Sequence, residues 1–239
     1  MEEIYDQLKH ALKKQIQQQN LFQKKIRVKC NVLSAAEAIG SPEHNDYPII
    51  KGREVMVEAS FNGSRGQAFT DEFENMDLAV EELLTIDLGT NKNRAVFISG
   101  LNAVYRHLGL CKKTVHCRDV EPGQCAAALP ETIGTGKKVL LVGHQPRFLE
   151  KLTLIGDVRA LDLDPDNIGK TKFGIEIEPP SMTSDALKWC DMVFATGSTV
   201  VNGTISEFID LQKPVIFYGV TISAAAEILQ LRTYCHCGH

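Results

Sequence analysis

The sequence predicts an α/β protein: a small α+β domain over residues 1–134, then a parallel-sheet domain over residues 135–239. Three observations carry this. Val139 to Val142 is a continuous apolar run closed by Gly143, the mark of a strand buried on both faces. From there on, short apolar runs alternate with helical segments, as right-handed βαβ units require. Ahead of Gly134-Thr135-Gly136 the texture differs, with an amphipathic helix, alternating strands and then helices.

The elements follow in order. Ile4, Leu8, Leu12 and Ile16 recur at spacing four with Ala11 beside them, so the chain opens on a helix with a narrow apolar stripe. Arg27 to Leu33 is a strand candidate. Val55, Val57, Ala59 and Phe61 alternate with Glu54, Glu58 and Ser60, the period of a half-buried strand. Asn62-Gly63-Ser64-Arg65-Gly66 turns the chain, and Gln67 to Thr70 returns as its hairpin partner. Asp77 to Ile86 and Arg94 to Leu108 read as helices. Leu101, Val104, Tyr105 and Leu108 share a face of the second, and Gly109 stops it. Thr114 to Arg118 reads as a short strand, Glu121-Pro122-Gly123 as a turn, and Gln124 to Leu129 as a short helix. In the second domain, strands are expected at Val139–Val142, Val158–Leu163, Phe173–Ile177, Met192–Ala195 and Val215–Tyr218. Helices are expected from Pro146, over Asp185–Cys190, from the capping box Thr204-Ile205-Ser206-Glu207 to Leu211, and over Ser223–Leu231.

With 239 residues, 44% of them apolar, the chain can bury a core without staples. A net charge of -4 argues against a broad nucleic-acid face. No apolar run reaches the roughly 18 residues that span a bilayer, and the charged amphipathic start is unlike a signal peptide. The expectation is a cytoplasmic protein with no membrane or nucleic-acid partner. Thiols stay reduced in that compartment, so the seven cysteines read as core residues or metal ligands.

Two groups of residues point to chemistry. In an open α/β sheet, ligands bind outside the carboxyl ends of the strands. Here those ends carry Gly143-His144-Gln145, Asp162 and Asp164, Thr196-Gly197-Ser198-Thr199, and Gly219. Glycine and hydroxyl residues ahead of a helix suit an anion, and an acid after the second strand suits a ribose hydroxyl. The plainer reading of Asp162 and Asp164 is a solvated turn before Pro165. The first loop lacks GxGxxG, so a nicotinamide cofactor is not indicated. Nucleophile elbow, P-loop and HExxH are absent as well.

The second group is His116-Cys117 with Cys125, and the tail Cys235-His236-Cys237-Gly238-His239. Thiolate and imidazole together suit zinc, copper, nickel, iron or an iron–sulfur cluster. The CxxC pairs of a standard finger are missing. On an extended chain Cys235, Cys237 and His239 fall on one face. The plainer readings are a structural cysteine at a domain junction and a frayed terminus. A tetrahedral site requires the two clusters to meet. Cys30, Cys111 and Cys190 lie in or beside apolar stretches and read as core.

Three segments carry a resemblance: Ser99-Gly100-Leu101-Asn102-Ala103-Val104-Tyr105-Arg106, Val142-Gly143-His144-Gln145-Pro146-Arg147-Phe148, and Thr196 through Asn202 to Thr204. The chain resembles the putative heavy-metal chelation family, a domain of unknown function in anaerobic bacteria and archaea. The resemblance implies a first half like the N-terminal domain of enolase, a Rossmann-like second half, and a site in the cleft between them. It also implies metal handling or anaerobic cobalamin-type cofactor assembly, with Asn102, His144, Thr196, Ser198 and Asn202 in matching positions. His116-Cys117, Cys125 and the Cys/His tail depart from the family pattern and mark a subgroup with a tighter metal site.

Three functions follow as expectations. In the first, His116, Cys117, Cys125, Cys235, His236, Cys237 and His239 hold a transition metal ion or an iron–sulfur cluster, while the strand ends hold a small anionic or nucleotide-like partner. In the second, the chain is a group-transfer enzyme that binds an S-adenosylmethionine-type cosubstrate at Gly143, Asp162 and Ser198. In the third, the N-terminal helix joins two copies as a homodimer.

Overall fold

The apolar residues at spacing four form a helix. In this computed structural model, which describes residues 2–31, 46–47, 54–119 and 121–239 with the side chains of 28–31 left aside, α1 runs Glu2–Gln18. It buries Ile4, Tyr5, Leu8, Leu12 and Ile16 and turns most of its lysines and glutamines to water. The Tyr5 hydroxyl donates to the Val200 carbonyl at 2.7 Å, and burial pushes that phenol up to about 12. The stripe that would join two copies is therefore covered within the chain.

Four strands follow: β1 (Lys25–Asn31), β2 (Val55–Phe61), β3 (Ser64–Thr70) and β4 (Met76–Ala79). They form an antiparallel sheet in the order β3-β2-β1-β4. The expected strand over 27–33 begins earlier, and both Leu33 and the Cys30 side chain lie outside the described residues. The alternation in β2 sends Val57, Ala59 and Phe61 into the core.

The helix expected over Asp77–Ile86 does not form. Met76–Ala79 pairs with β1 instead, and a 3-10 turn, Val80–Leu84, follows. A ten-residue helix gains little alone, whereas β1 offers a free edge. The Glu82 carboxylate then accepts from the Ala79 N–H at 2.5 Å and closes the turn.

α2 (Asn91–His107) opens on Thr90, whose hydroxyl accepts from Asn93 N at 3.2 Å. Gly109, at φ 69, ends it. Every residue from Arg94 to Tyr105 is buried, including the run Ala95-Val96-Phe97-Ile98, which is apolar on every face of the helix. No strand forms over 114–118. The expected Glu-Pro-Gly turn is instead the first turn of α3 (Glu121–Ala127), where the missing N–H of Pro122 costs nothing. A short α4 (Leu129–Ile133) follows.

The second sheet contains β5 (Lys138–Val142), β6 (Asp157–Leu161), β7 (Thr171–Lys172), β8 (Ile175–Glu178), β9 (Met192–Thr196), β10 (Val215–Tyr218) and β11 (Thr233–Tyr234). Its helices are α5 (Pro146–Thr153), α6 (Thr183–Trp189), α7 (Thr199–Asn202) and α8 (Ser223–Leu229). The order is β11-β10-β9-β5-β6-β8-β7, parallel throughout except β7. The strand expected at Phe173–Ile177 is part of a hairpin turned by Phe173 (φ 49) and Gly174 (φ 80). The helix expected from Thr204 shrinks to a 3-10 turn, Ile205–Glu207. Gly203, at φ 76, ends α7 and leaves Thr204 near helical geometry rather than in the extended region of a cap, so its hydroxyl caps nothing.

Both faces of this sheet are covered, as a parallel sheet requires. Val139, Leu141, Phe194, Ile216 and Tyr218 pack with residues of α3, α4 and α5. Leu140, Val142, Val193, Ala195 and Phe217 join the cluster that also holds α1, α2 and the antiparallel sheet. α2 lies between, with β2 and β3 on one side and α7 and α8 on the other. Gly66 permits the close approach: a Cβ there would strike Ala103 N and Ser99 O. From β5 the chain moves first to β6 on one side and later to β9 on the other. The carboxyl ends of β5 and β9 are thus the switch point where open α/β sheets bind ligands. Among the described residues no helix is long and apolar enough to cross a membrane.

Candidate functional site

A cavity of about 650 Å³ lies over the carboxyl ends of the parallel strands, and Tyr47, Glu54, Phe69, Asp71 and Asn91 also line it. Gly143, His144, Asp162, Thr196, Ser198 and Asn202 all line it, so the strand-end residues singled out from sequence do come together. Gly143 has φ 86, and a Cβ there would lie 2.7 Å from Thr196 Cγ2. The Tyr218 hydroxyl donates to its carbonyl at 2.8 Å. Asp162 shapes the turn before Pro165 and also reaches beyond it: its carboxylate accepts from Asp164 N at 2.7 Å, an Asx turn, and from His144 N at 2.6 Å. Ser198 N donates to Thr196 Oγ1 at 3.3 Å, and the two hydroxyls lie 3.2 Å apart.

The charge of the cavity runs against the anion expected there. Its described lining holds Glu54, Asp71, Asp162, Asp164 and Glu207, with no lysine or arginine. At the start of α5, the Gln145 side chain already accepts from Phe148 N at 2.5 Å, taking up a donor an anion would need. Glu54 is reached by water, yet protein surrounds it. Burial, followed by the charges of Asp162, Asp164 and Asp71, pushes its carboxyl up to about 7. Burial likewise holds the Tyr218 phenol well above its ordinary value, with Asp162 and Glu54 adding to it.

Asn102 is not on the lining. It is fully buried in α2. Its Nδ2 donates to the carbonyls of Gln67 and Thr221, each at 3.0 Å, and of Val220 at 3.3 Å, while Oδ1 accepts from Ala224 N at 2.9 Å. With donors and acceptor committed, Asn102 clamps α2 to β3 and to the start of α8 rather than lining the cavity. Sequence reasoning missed Asn167. This residue is 1% exposed and lines the cavity, and neither its Nδ2 nor its Oδ1 meets a hydrogen-bond partner among the described residues. The one available signal was its place in the turn after the second parallel strand. Glu54 was missed too, because it was read only as the polar phase of β2.

The two Cys/His clusters meet. Val115 and His239 exchange N–H···O bonds of 2.9 Å each, an antiparallel pairing that pins the tail. Lys113 Nζ donates to the Cys235 carbonyl at 2.6 Å. The Tyr234 hydroxyl donates to the Cys125 carbonyl. Cys117, Cys125 and Cys235 line the cavity, and Cys237 packs against the cluster that holds Cys125 and Tyr234. Burial raises the thiols of Cys117, Cys235 (up to about 12) and Cys237, and the neighbouring cysteines raise each further. His116 also lines the cavity, edge-on to Phe69 with ring centroids 5.3 Å apart, and burial lowers its pKa.

Other parts of the expected ligand set fall away. The tail bends at His236 and Cys237 instead of running extended, and His236 is exposed. His239 turns to Glu121, with Nε2 3.0 Å from Oε1. Among the described residues, no three His, Cys, Asp or Glu side chains stand as a ready-made ligand set. The four thiols are neighbours without yet surrounding one point. Cys111 and Cys190 are buried core thiols, as expected.

Fold and site together define an α/β protein with a ligand-sized cavity at the switch point of a mostly parallel sheet. Residues 126–237 match the DUF364 family model, described as putative heavy-metal chelation, in keeping with the resemblance in the sequence motifs. A DUF364 protein of unknown function from Pyrococcus horikoshii is 13% identical, with a TM-score of 0.56 over 91% of this chain and 79% of that one. Another, from Desulfitobacterium hafniense, is 17% identical, with a TM-score of 0.47 over 68% of this chain and 66% of that one. At 13% identity the likeness to the Pyrococcus protein speaks to fold alone. No curated protein matches the chain.

Proposed function

We propose that the chain is a metal-chelating or metallocofactor-assembly protein that takes a soft transition-metal ion, or an iron–sulfur cluster, on Cys117, Cys125, Cys235 and Cys237. The observation that carries this is the convergence of thiols from three separate chain segments beside one acid-lined cavity. Four thiols are the donor set that zinc or iron–sulfur sites use. His116 stands by as a further ligand. Binding displaces the thiol protons and requires the side chains to rotate inward. The cavity carboxylates favour the approach of a cation. The heavy-metal chelation described for the family agrees with this reading.

The test is elemental analysis with an absorption spectrum, on protein purified without oxygen and without an affinity tag. Near-stoichiometric iron with broad visible absorption identifies a cluster; zinc, nickel or cobalt identifies a mononuclear chelate. Cys117→Ser and Cys235→Ser should each lower the metal content. Cys190→Ser, a buried thiol outside the group, should leave it intact. A protein that takes up no added metal, or unchanged stoichiometry in both cluster variants, overturns the proposal.

A further inference from the structure

The cavity has a second end that the thiols do not explain. Around Asp162 and Asp164 it is lined by carboxylates with no lysine or arginine among the described residues. Beside them lies Asn167, a buried carboxamide with neither end paired. A native fold rarely leaves both a donor and an acceptor of one side chain buried and unmet, since each costs the desolvation of a polar group. As the side chain stands both atoms are sealed from the cavity; turned into it, a donor and an acceptor side by side match a ligand edge that presents their complement. The N6/N7 edge of adenine is such an edge, and asparagine reads it with two parallel hydrogen bonds.

Position narrows the ligand further. Asp162 follows the second strand of the parallel sheet, where an acid holds a ribose hydroxyl in comparable folds. Each of its oxygens accepts one backbone N–H and keeps a lone pair for a hydroxyl. The carboxylates of Asp162 and Asp71 on the lining disfavour a phosphate and favour positive charge. The cavity of about 650 Å³ accommodates a ligand of nucleoside size.

We propose that this end of the cavity binds a phosphate-free adenine nucleoside bearing a positive charge, with Asn167 at the base edge and Asp162 and Asp164 at the ribose. The site does not depend on the metal reading, and either can fail alone.

The experiment is calorimetry and thermal shift on the full chain, with S-adenosylmethionine, adenosine, ATP and spermidine as probes. S-adenosylmethionine should bind and raise Tm, adenosine should bind more weakly, and ATP and spermidine should bind far more weakly than either. Asn167→Ala should weaken S-adenosylmethionine binding by about tenfold to hundredfold. The same substitution should leave the Tm of the free protein unchanged or raised, because its carboxamide has no partner to lose. The proposal is overturned if no adenosine compound binds, if ATP or spermidine binds as tightly as S-adenosylmethionine, or if Asn167→Ala binds it undiminished. A large fall in Tm of the free Asn167→Ala protein also overturns it, since that would make the residue structural.

Discussion

Asn102 offers the sharpest test of the boundary between site and scaffold. The family resemblance implies a place for it in the site, whereas the structure commits it to four internal hydrogen bonds. Asn102→Ala removes all four: the Ala224 N–H loses its acceptor and the Gln67 and Thr221 carbonyls lose a donor in a dry interior, while the Val220 carbonyl keeps Ser223 N and Oγ. An orphaned buried group costs about 1–3 kcal/mol. The carbonyls retain a second lone pair for other donors, so their share is smaller. A total of about 3–5 kcal/mol is expected. For a chain of this length about 2–4 °C of Tm corresponds to each kcal/mol, so Tm should fall by about 6–20 °C. Asn102→Asp should be at least as harmful, because it keeps the acceptor, loses the donors and buries a charge. Thermal unfolding followed by circular dichroism measures the fall, with metal content and nucleoside affinity measured below the transition. A fall of less than about 3 °C would refute the clamp. So would an unchanged Tm with lost binding, which would return Asn102 to the site.

Two further predictions concern packing and charge. Gly66→Ala places a methyl against the Ala103 and Ser99 backbone; neither can retreat within a buried helix, so a loss of about 3 kcal/mol or more is expected, read by thermal unfolding. Glu54 titrates near 7 in the fold against 4.5 unfolded, so its contribution to stability is whole below pH 4.5 and is lost as pH rises through 7. Glu54→Gln should therefore raise Tm at pH 8 and not at pH 4.5; the full shift at 1.36 kcal/mol per pH unit would be about 3 kcal/mol, but water reaches the group and screens it, leaving about 1 kcal/mol, or 2–4 °C. Equal effects at both pH values would refute the assignment.

What the sequence shows of the fold depends on how local the cause is. Ile4, Leu8, Leu12 and Ile16 announce their helix because burial of one face needs nothing beyond spacing. Val139 to Val142 announces a central strand because enclosure on both faces forbids polar residues. Leu78 and Val80 have the spacing of a strand while Leu83 and Ile86 have that of a helix, and only the free edge of β1, some fifty residues earlier in the chain, decides for a strand at Met76–Ala79. Thr204 has the letters of a capping box, but Gly203 sets a backbone in which the hydroxyl cannot cap.

The site divides along the same line. Strand-end residues can be placed from topology alone, because a parallel sheet puts its loops at one edge. Residue type does not disclose direction, and so Asn102, in a matching segment, faces Ala224 N rather than the cavity. The thiols are the strongest case. Their chemistry is plain from the letters, yet whether Cys125 meets Cys235 across 110 positions is a question about ladders. Three contacts answer it: β11 pairs with β10, the Tyr234 hydroxyl holds the Cys125 carbonyl, and His239 pairs with Val115. None of them involves a thiol. The backbone and one phenol gather the cysteines, so in the proposed reading a metal ion would need only to reorganise side chains instead of closing a loop through most of the domain. That would lower the entropic cost of such binding, since folding itself closes the loop.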